Sequence, residues 1–138
     1  MQDKLNELKA IMAEVWDLGK AEAILSWDQQ TYMPSGGAEA RGNQMGTLGK
    51  IAHQMFTDDK VGKLLDELKD TFPAGSDDAA FVRVTRRDYD RRTRVPASFV
   101  VEQAQVTSAA NEAWREARGK SDFSIRSEER RVGKECRL

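Results

Sequence analysis

One cysteine and one histidine are all this 138-residue chain has of the two side chains most used to hold transition metals. Cys136 by itself cannot close an internal disulfide, so a reducing cytoplasm is the expected setting. Prolines number only three, Pro34, Pro73 and Pro96, which leaves long stretches free of enforced helix breaks. No apolar run approaches the ~20 residues needed to span a bilayer, and no basic-apolar-small signal segment opens the chain. The charges nearly cancel, 22 basic against 23 acidic for a net of -1, so no global field gathers nucleic acid or an anionic membrane. The expectation is a soluble, cytoplasmic protein with no nucleic-acid partner and no membrane partner.

What the chain does have is helical periodicity. Apolar residues at Leu5, Leu8, Met12, Val15 and Trp16 recur at three- and four-residue steps. Gly19 is a candidate bend, and the run resumes through Ile24, Leu25 and Trp27 before Pro34 and Gly36-Gly37 form a corner. Beyond the corner, Ala38, Arg41, Met45, Leu48, Ala52 and Met55 trace the clearest amphipathic stripe, with the stem of Arg41 its one polar member. Gly42, Gly46 and Gly49 interrupt that helix at about 1 kcal/mol each against alanine, which hints at a closely packed neighbouring backbone.

Thr57 or Asp58 caps a helix buried through Val61, Leu64, Leu65, Leu68 and Phe72. After Pro73 to Ser76, Asp77-Asp78 repeat the capping signal for a helix running from Asp78 to Arg92. The alternating "FVRVTR" is too short to outweigh it. Pro96 suits a first turn ahead of Val100, Ala104, Thr107, Ala110, Trp114 and Ala117, in a helix ending near Gly119. The fold class is therefore all-α, with up-and-down helices joined by short capped turns.

Each chemical motif has a simpler structural reading. His53 falls on the polar side of its stripe, at a solvent-exposed or rim position, and with no second imidazole, HExxH or Cys pair it completes no zinc shell. Asp58, Asp59, Asp77 and Asp78 read as caps. "RVTRRDYDRRTR" carries Asp88 and Asp90 at helical spacing from its arginines, so Arg86-Asp90 and Asp88-Arg92 can pair as a salt-bridged face. Trp16, Trp27, Trp114, Phe56, Phe81 and Tyr89 are expected as core anchors. Trp27 is also a candidate pocket residue, because Asp28, Gln29 and Gln30 follow it directly.

Four stretches carry a family resemblance: "LSWDQQTYMPSGGAEAR" from Leu25 to Arg41, "LGKIAHQMFTDDKVGKLLDEL" from Leu48 to Leu68, "RRDYDRRTRVPASFV" from Arg86 to Val100, and "ANEAWREARGKSDF" from Ala110 to Phe123. In order and spacing the chain resembles the amino-terminal region of the thermostable carboxypeptidase Taq family, zinc metallocarboxypeptidases of larger all-helical fold. The resemblance implies a parent that hydrolyses carboxy-terminal peptide bonds of a peptide substrate, with zinc polarising the carbonyl and a glutamate activating water. It also implies that the HExxH helix lies beyond this chain, that no catalytic or metal residue falls here, and that the isolated chain binds no zinc and is inactive. Trp27, Asp28, Gln29 and Tyr32 are by the same resemblance lid or substrate-cleft residues.

Residues 1–124 are expected to be the amino-terminal helical region of the carboxypeptidase. From Ile125 to Leu138, "IRSEERRVGKECRL" leaves the family pattern, carries eight charges and no apolar stripe, and looks like disordered or artefactual adaptor sequence. The competing expectation is a freestanding helical interaction module whose unpartnered apolar faces bind another protein or self-associate. A homodimer is left open.

Overall fold

The computed structural model describes residues 1–122 and 124, and all its regular structure is helical: α1 (Gln2–Thr31), α2 (Ala38–Phe56), α3 (Asp59–Leu68), α4 (Asp77–Arg92) and α5 (Ala97–Lys120). The all-α expectation holds, with side-chain caps at the starts of α3 and α4 but none at those of α2 and α5. The charged tail from Ile125 to Leu138, Cys136 included, lies outside the described residues.

α1 runs unbroken through Gly19, where nothing stands within 4 Å of a built Cβ. The expected bend is absent because one glycine costs about 1 kcal/mol in a helix interior, a small deficit against the rest of a 30-residue helix. At ~1.5 Å per residue the helix is about 45 Å long, and each end organises a separate packing centre. Around its first turns, Leu5 and Leu8 join Val61, Leu64, Leu65 and Leu68 of α3 and Val82 of α4 in the buried cluster, with Ile11, Met12, Phe72, Phe81 and Tyr89 against it. The pairs Lys4–Glu67 (3.0 Å), Lys60–Glu7 (2.6 Å) and Lys9–Asp78 (2.7 Å) border this cluster. Such exposed pairs contribute little beyond register.

Around the last turns of α1 the packing is of another kind. α2 lies against both α1 and α5, and its buried residues are Gly42, Gly46, His53 and Phe56. A Cβ at Gly42 would stand 3.2 Å from Gln105 Cα and from Ser108 Cβ, and one at Gly46 3.3 Å from Val101 Cγ1. The glycines thus let two helix backbones approach, as their spacing suggests. They also rotate the buried face off the expected stripe, since Met45, Leu48, Ala52 and Met55 are only half-buried.

The caps refine the expected boundaries. Asp58 accepts from Lys60 N–H at 2.8 Å, whereas Thr57 closes α2. Ser76, not Asp77 or Asp78, caps α4 by accepting from Ala79 N–H at 3.2 Å, and the two acids occupy the first turn, where the helix dipole favours them. Pro96 stands at the N-cap of α5, and Ser121 ends that helix in the left-handed region at φ 52°.

Candidate functional site

The corner after α1 is built by its own backbone and by one arginine. Tyr32 and Met33 N–H both donate to Asp28 O at 3.0 Å, Pro34 stops the helix, and Gly37 N–H returns to Pro34 O at 2.9 Å. Gly37 is required because a Cβ there would meet Met33 Cγ at 2.9 Å. Arg41, from the first turn of α2, donates through Nη1 to Leu25 O and through Nη2 to Asp28 Oδ2, both at 2.5 Å. Its fork reaches a backbone carbonyl within the last two turns of α1 and a carboxylate at once, a geometry lysine cannot reproduce.

The four residues singled out in sequence divide here by direction. Gln29 is buried and donates through Nε2 to Ser108 Oγ (2.8 Å) and Ser108 O (3.2 Å), while Ser108 Oγ donates to Ala38 O at 2.9 Å. Gln29 therefore ties α1 to α5 and, through Ser108, to the start of α2. Asp28 is held by Arg41. Trp27 and Tyr32 turn outward, 59% and 77% exposed, edge to face with centroids 5.7 Å apart. Ile24, 66% exposed, lies one helical turn before Trp27.

Three of the expected core anchors are therefore not in the core. Trp16, Trp27 and Trp114 are all exposed, whereas Phe56 is buried and Phe81 and Tyr89 are partly so. Trp16 faces the open cleft between α1, α2, α4 and α5, and Trp27 packs edge-on against Tyr32 at the end of α1, so neither ring is sealed by a neighbouring helix. His53 departs in the opposite sense. It is buried, and its Nε2 lies 2.8 Å from Val95 O, tying the end of α2 to the α4–α5 connection. The helical wheel put it among polar residues because it scored the neighbouring glycines as neutral, although they form the most buried line of the helix.

The arginine-rich stretch of α4 is salt-bridged. Arg86 pairs with Asp90 (3.0 Å) and with Asp66 of α3, and Arg87 pairs with Asp88 (2.9 Å). Asp88 thus takes Arg87 rather than Arg92, and the hydrogen bond from Arg87 holds its carboxyl below the usual range. Arg92 instead lies over the Phe56 ring, 4.7 Å from its centroid.

Between the two packing centres α1, α2, α4 and α5 enclose an open cleft of about 1200 Å³. Met12, Val15, Trp16 and Ala23 line it from α1, Met45 and Ala52 from α2, Phe81 and Val84 from α4, and Val100 and Ala104 from α5. Three carboxylates, Glu22, Asp77 and Asp88, also line it, with the cations Lys20 and Arg92. Glu22 projects over Gly49, 3.9 Å from where a Cβ would stand, and burial pushes its carboxyl above the ordinary 4.5. It has no hydrogen-bond or ion-pair partner among the described residues. Sequence reasoning passed over Glu22, although its spacing of seven from Val15 and three from Gly19 puts it on the cleft face.

Among the described residues no three His, Cys, Asp or Glu side chains converge as metal donors, and the one imidazole has a ring nitrogen on a backbone carbonyl. The described residues by themselves do not fit a resident metal ion. No described helix is long and apolar enough to cross a membrane.

The chain is 36% identical over 109 residues to thermostable carboxypeptidase 1 of Thermus thermophilus, covering 77% of this chain and 21% of that one. It is 30% identical over 116 residues to carboxypeptidase 1 of Bacillus subtilis, covering 83% and 23%. The crystal structure of BsuCP superposes with a TM-score of 0.85 at 29% identity, over 92% of this chain and 26% of that one. The chain thus spans about a quarter of the length of the relatives it matches. The family model described as carboxypeptidase Taq (M32) metallopeptidase matches residues 7–130, and the chain belongs to that family.

Proposed function

We propose that this chain is the amino-terminal helical segment of a zinc-dependent metallocarboxypeptidase that removes residues from the carboxy terminus of peptides, and that it has no peptidase activity by itself. The observation that carries the reading is the superposition of nearly the whole chain on one quarter of a solved carboxypeptidase. The donor census supports the second half: zinc hydrolysis needs several converging ligands and an open coordination position, and the described residues supply neither. The zinc ligands and the base belong to the remainder of such an enzyme.

The segment's own part is to form a wall or lid beside the peptide cleft. Trp27 and Tyr32 supply an exposed aromatic edge against which a peptide can lie, while Gln29, Asp28 and Arg41 fix the backbone that carries them. A cytoplasmic location, without nucleic-acid or membrane partners, fits the near-zero net charge and the single cysteine.

The test exchanges residues 7–122 for the matching segment of the full-length Thermus thermophilus relative. The exchanged enzyme releases carboxy-terminal residues from an unblocked peptide, and the 138-residue chain with added zinc does not. Zinc-dependent release by the 138-residue chain would overturn the proposal, and so would a folded, inactive exchange enzyme.

A freestanding interaction module is the second reading, favoured by the exposure of Trp16, Ile24 and Trp27. It requires concentration-dependent association in sedimentation. A monomer across the accessible range counts against it.

A further inference from the structure

We infer that the cleft between α1, α2, α4 and α5 seats one amphipathic helix from the carboxy-terminal part of the family chain, and that this helix brings a lysine or arginine to the Glu22 carboxylate. The inference rests on the proposed function and names the partner of one of its surfaces.

Three observations converge on it. First, the lining is periodic: Val15, Gly19 and Glu22 on α1, Met45, Gly49 and Ala52 on α2, and Val100, Ala104 and Thr107 on α5 each step by three or four. That is how a helix presents ridges and holes to another helix, not how loops line a small-molecule pocket. Second, the walls are large apolar groups around a space that the five helices leave open, with Trp16 65% and Val84 41% exposed. The same five helices superpose on a chain about four times as long, so the family fold has ample sequence to cover them. Third, Glu22 is a half-buried carboxylate held in an apolar wall without a cation, and its desolvation is visible in its raised pKa. A buried charge is retained where a partner offsets its desolvation, and Lys20, whose ammonium lies over the Trp16 ring at 4.6 Å, is engaged elsewhere. Of the other charged groups lining the cleft, Asp88 is held by Arg87, Asp77 is exposed and Arg92 lies over the Phe56 ring, which leaves Glu22 as the half-buried acid to which an incoming cation is complementary.

The exchange enzyme described above tests this with readouts that do not depend on activity. Val84→Cys is labelled by a maleimide in the 138-residue chain and in the full-length exchange enzyme, each rate normalised to the same thiol in urea and located by mass spectrometry. Docking slows labelling on the order of tenfold or more in the full-length enzyme alone. At pH 7 Glu22→Gln raises the Tm of the 138-residue chain, where the carboxylate is unpaired, and lowers the Tm of the full-length enzyme, where it strands a cation. Equal labelling in both proteins overturns the inference while an active exchange enzyme keeps the carboxypeptidase reading standing. Protection that appears only on adding peptide assigns the cleft to substrate, and protection in the 138-residue chain at high concentration assigns it to a second copy; either outcome overturns the docked helix. A Tm raised by Glu22→Gln in both proteins overturns the cation.

Discussion

The close approach of α2 and α5 gives a sharp contrast between two glycines of the same helical type. Gly19 and Gly42 each lie inside a helix, so alanine gains about 1 kcal/mol of propensity at either. At Gly19 nothing opposes it, because no atom lies within 4 Å of the new methyl. At Gly42 the methyl meets the Gln105 Cα at 3.2 Å, a backbone atom that cannot rotate away, and the Ser108 Cβ at the same distance. Overpacking of this kind costs about 1–3 kcal/mol, so the propensity gain is exceeded at the midpoint by about 1 kcal/mol. Gly19→Ala is therefore expected to stabilise by about 1 kcal/mol and Gly42→Ala to destabilise by about the same, a separation of about 2 kcal/mol. With a urea slope of about 2 kcal/mol per M, the two midpoints differ by about 1 M at unchanged slope. Urea titration followed by far-ultraviolet circular dichroism reads this directly. Equal gains at both positions would show that α2 and α5 stand further apart than described, and the account of the three glycines would fail.

Other substitutions probe the remaining centres. Leu65→Ala, at a site 1% exposed, removes about 2–5 kcal/mol, measured by the same titration; a loss under about 1 kcal/mol would mean the α1–α3–α4 cluster is not the core. Arg41→Lys keeps the charge but not the fork, and costs about 1–3 kcal/mol for the carbonyl or carboxylate left unmatched; full stability in the lysine variant would sink the two-pronged corner. Glu22 fixes a pH signature in the 138-residue chain. Its folded pKa is raised above 4.5, so the folded state is penalised above that raised pKa and relieved as pH falls through it towards and below 4.5. Glu22→Gln is thus more stable than the parent at pH 7, and the difference closes as the solution is acidified, followed by Tm at stepped pH.

Much of the fold could be read from residue patterns, because three signals agreed. α3 was legible in Val61, Leu64, Leu65 and Leu68, its buried leucine and valine face, and in one of its two candidate caps, Asp58, but the helix stops at Leu68 and Phe72, expected on the same stripe, lies beyond it. The corner was legible from Pro34, although not from its glycines as a pair, since only Gly37 is needed sterically. What escaped was decided by neighbours distant in sequence. Apart from Phe56, the buried face of α2 consists of Gly42, Gly46 and His53, which no hydropathy scale marks as core; proximity of α5 makes the glycines so. Ser108 and Gln29 are buried polar groups whose satisfaction depends on each other across 79 residues. Trp16 and Trp114 were placed on buried stripes by their helical spacing and Trp27 by its type, yet all three are exposed. Glu22 went unnoticed because an isolated acid on a helix looks solvated until the opposing wall is known.

The outward tryptophans also decide how this molecule can be watched. Three indoles in contact with water emit almost as they do in an unfolded chain, so intrinsic fluorescence will scarcely change on denaturation. Covering any of them will shift the emission to shorter wavelength. For this chain the colour of its own light reports company rather than folding.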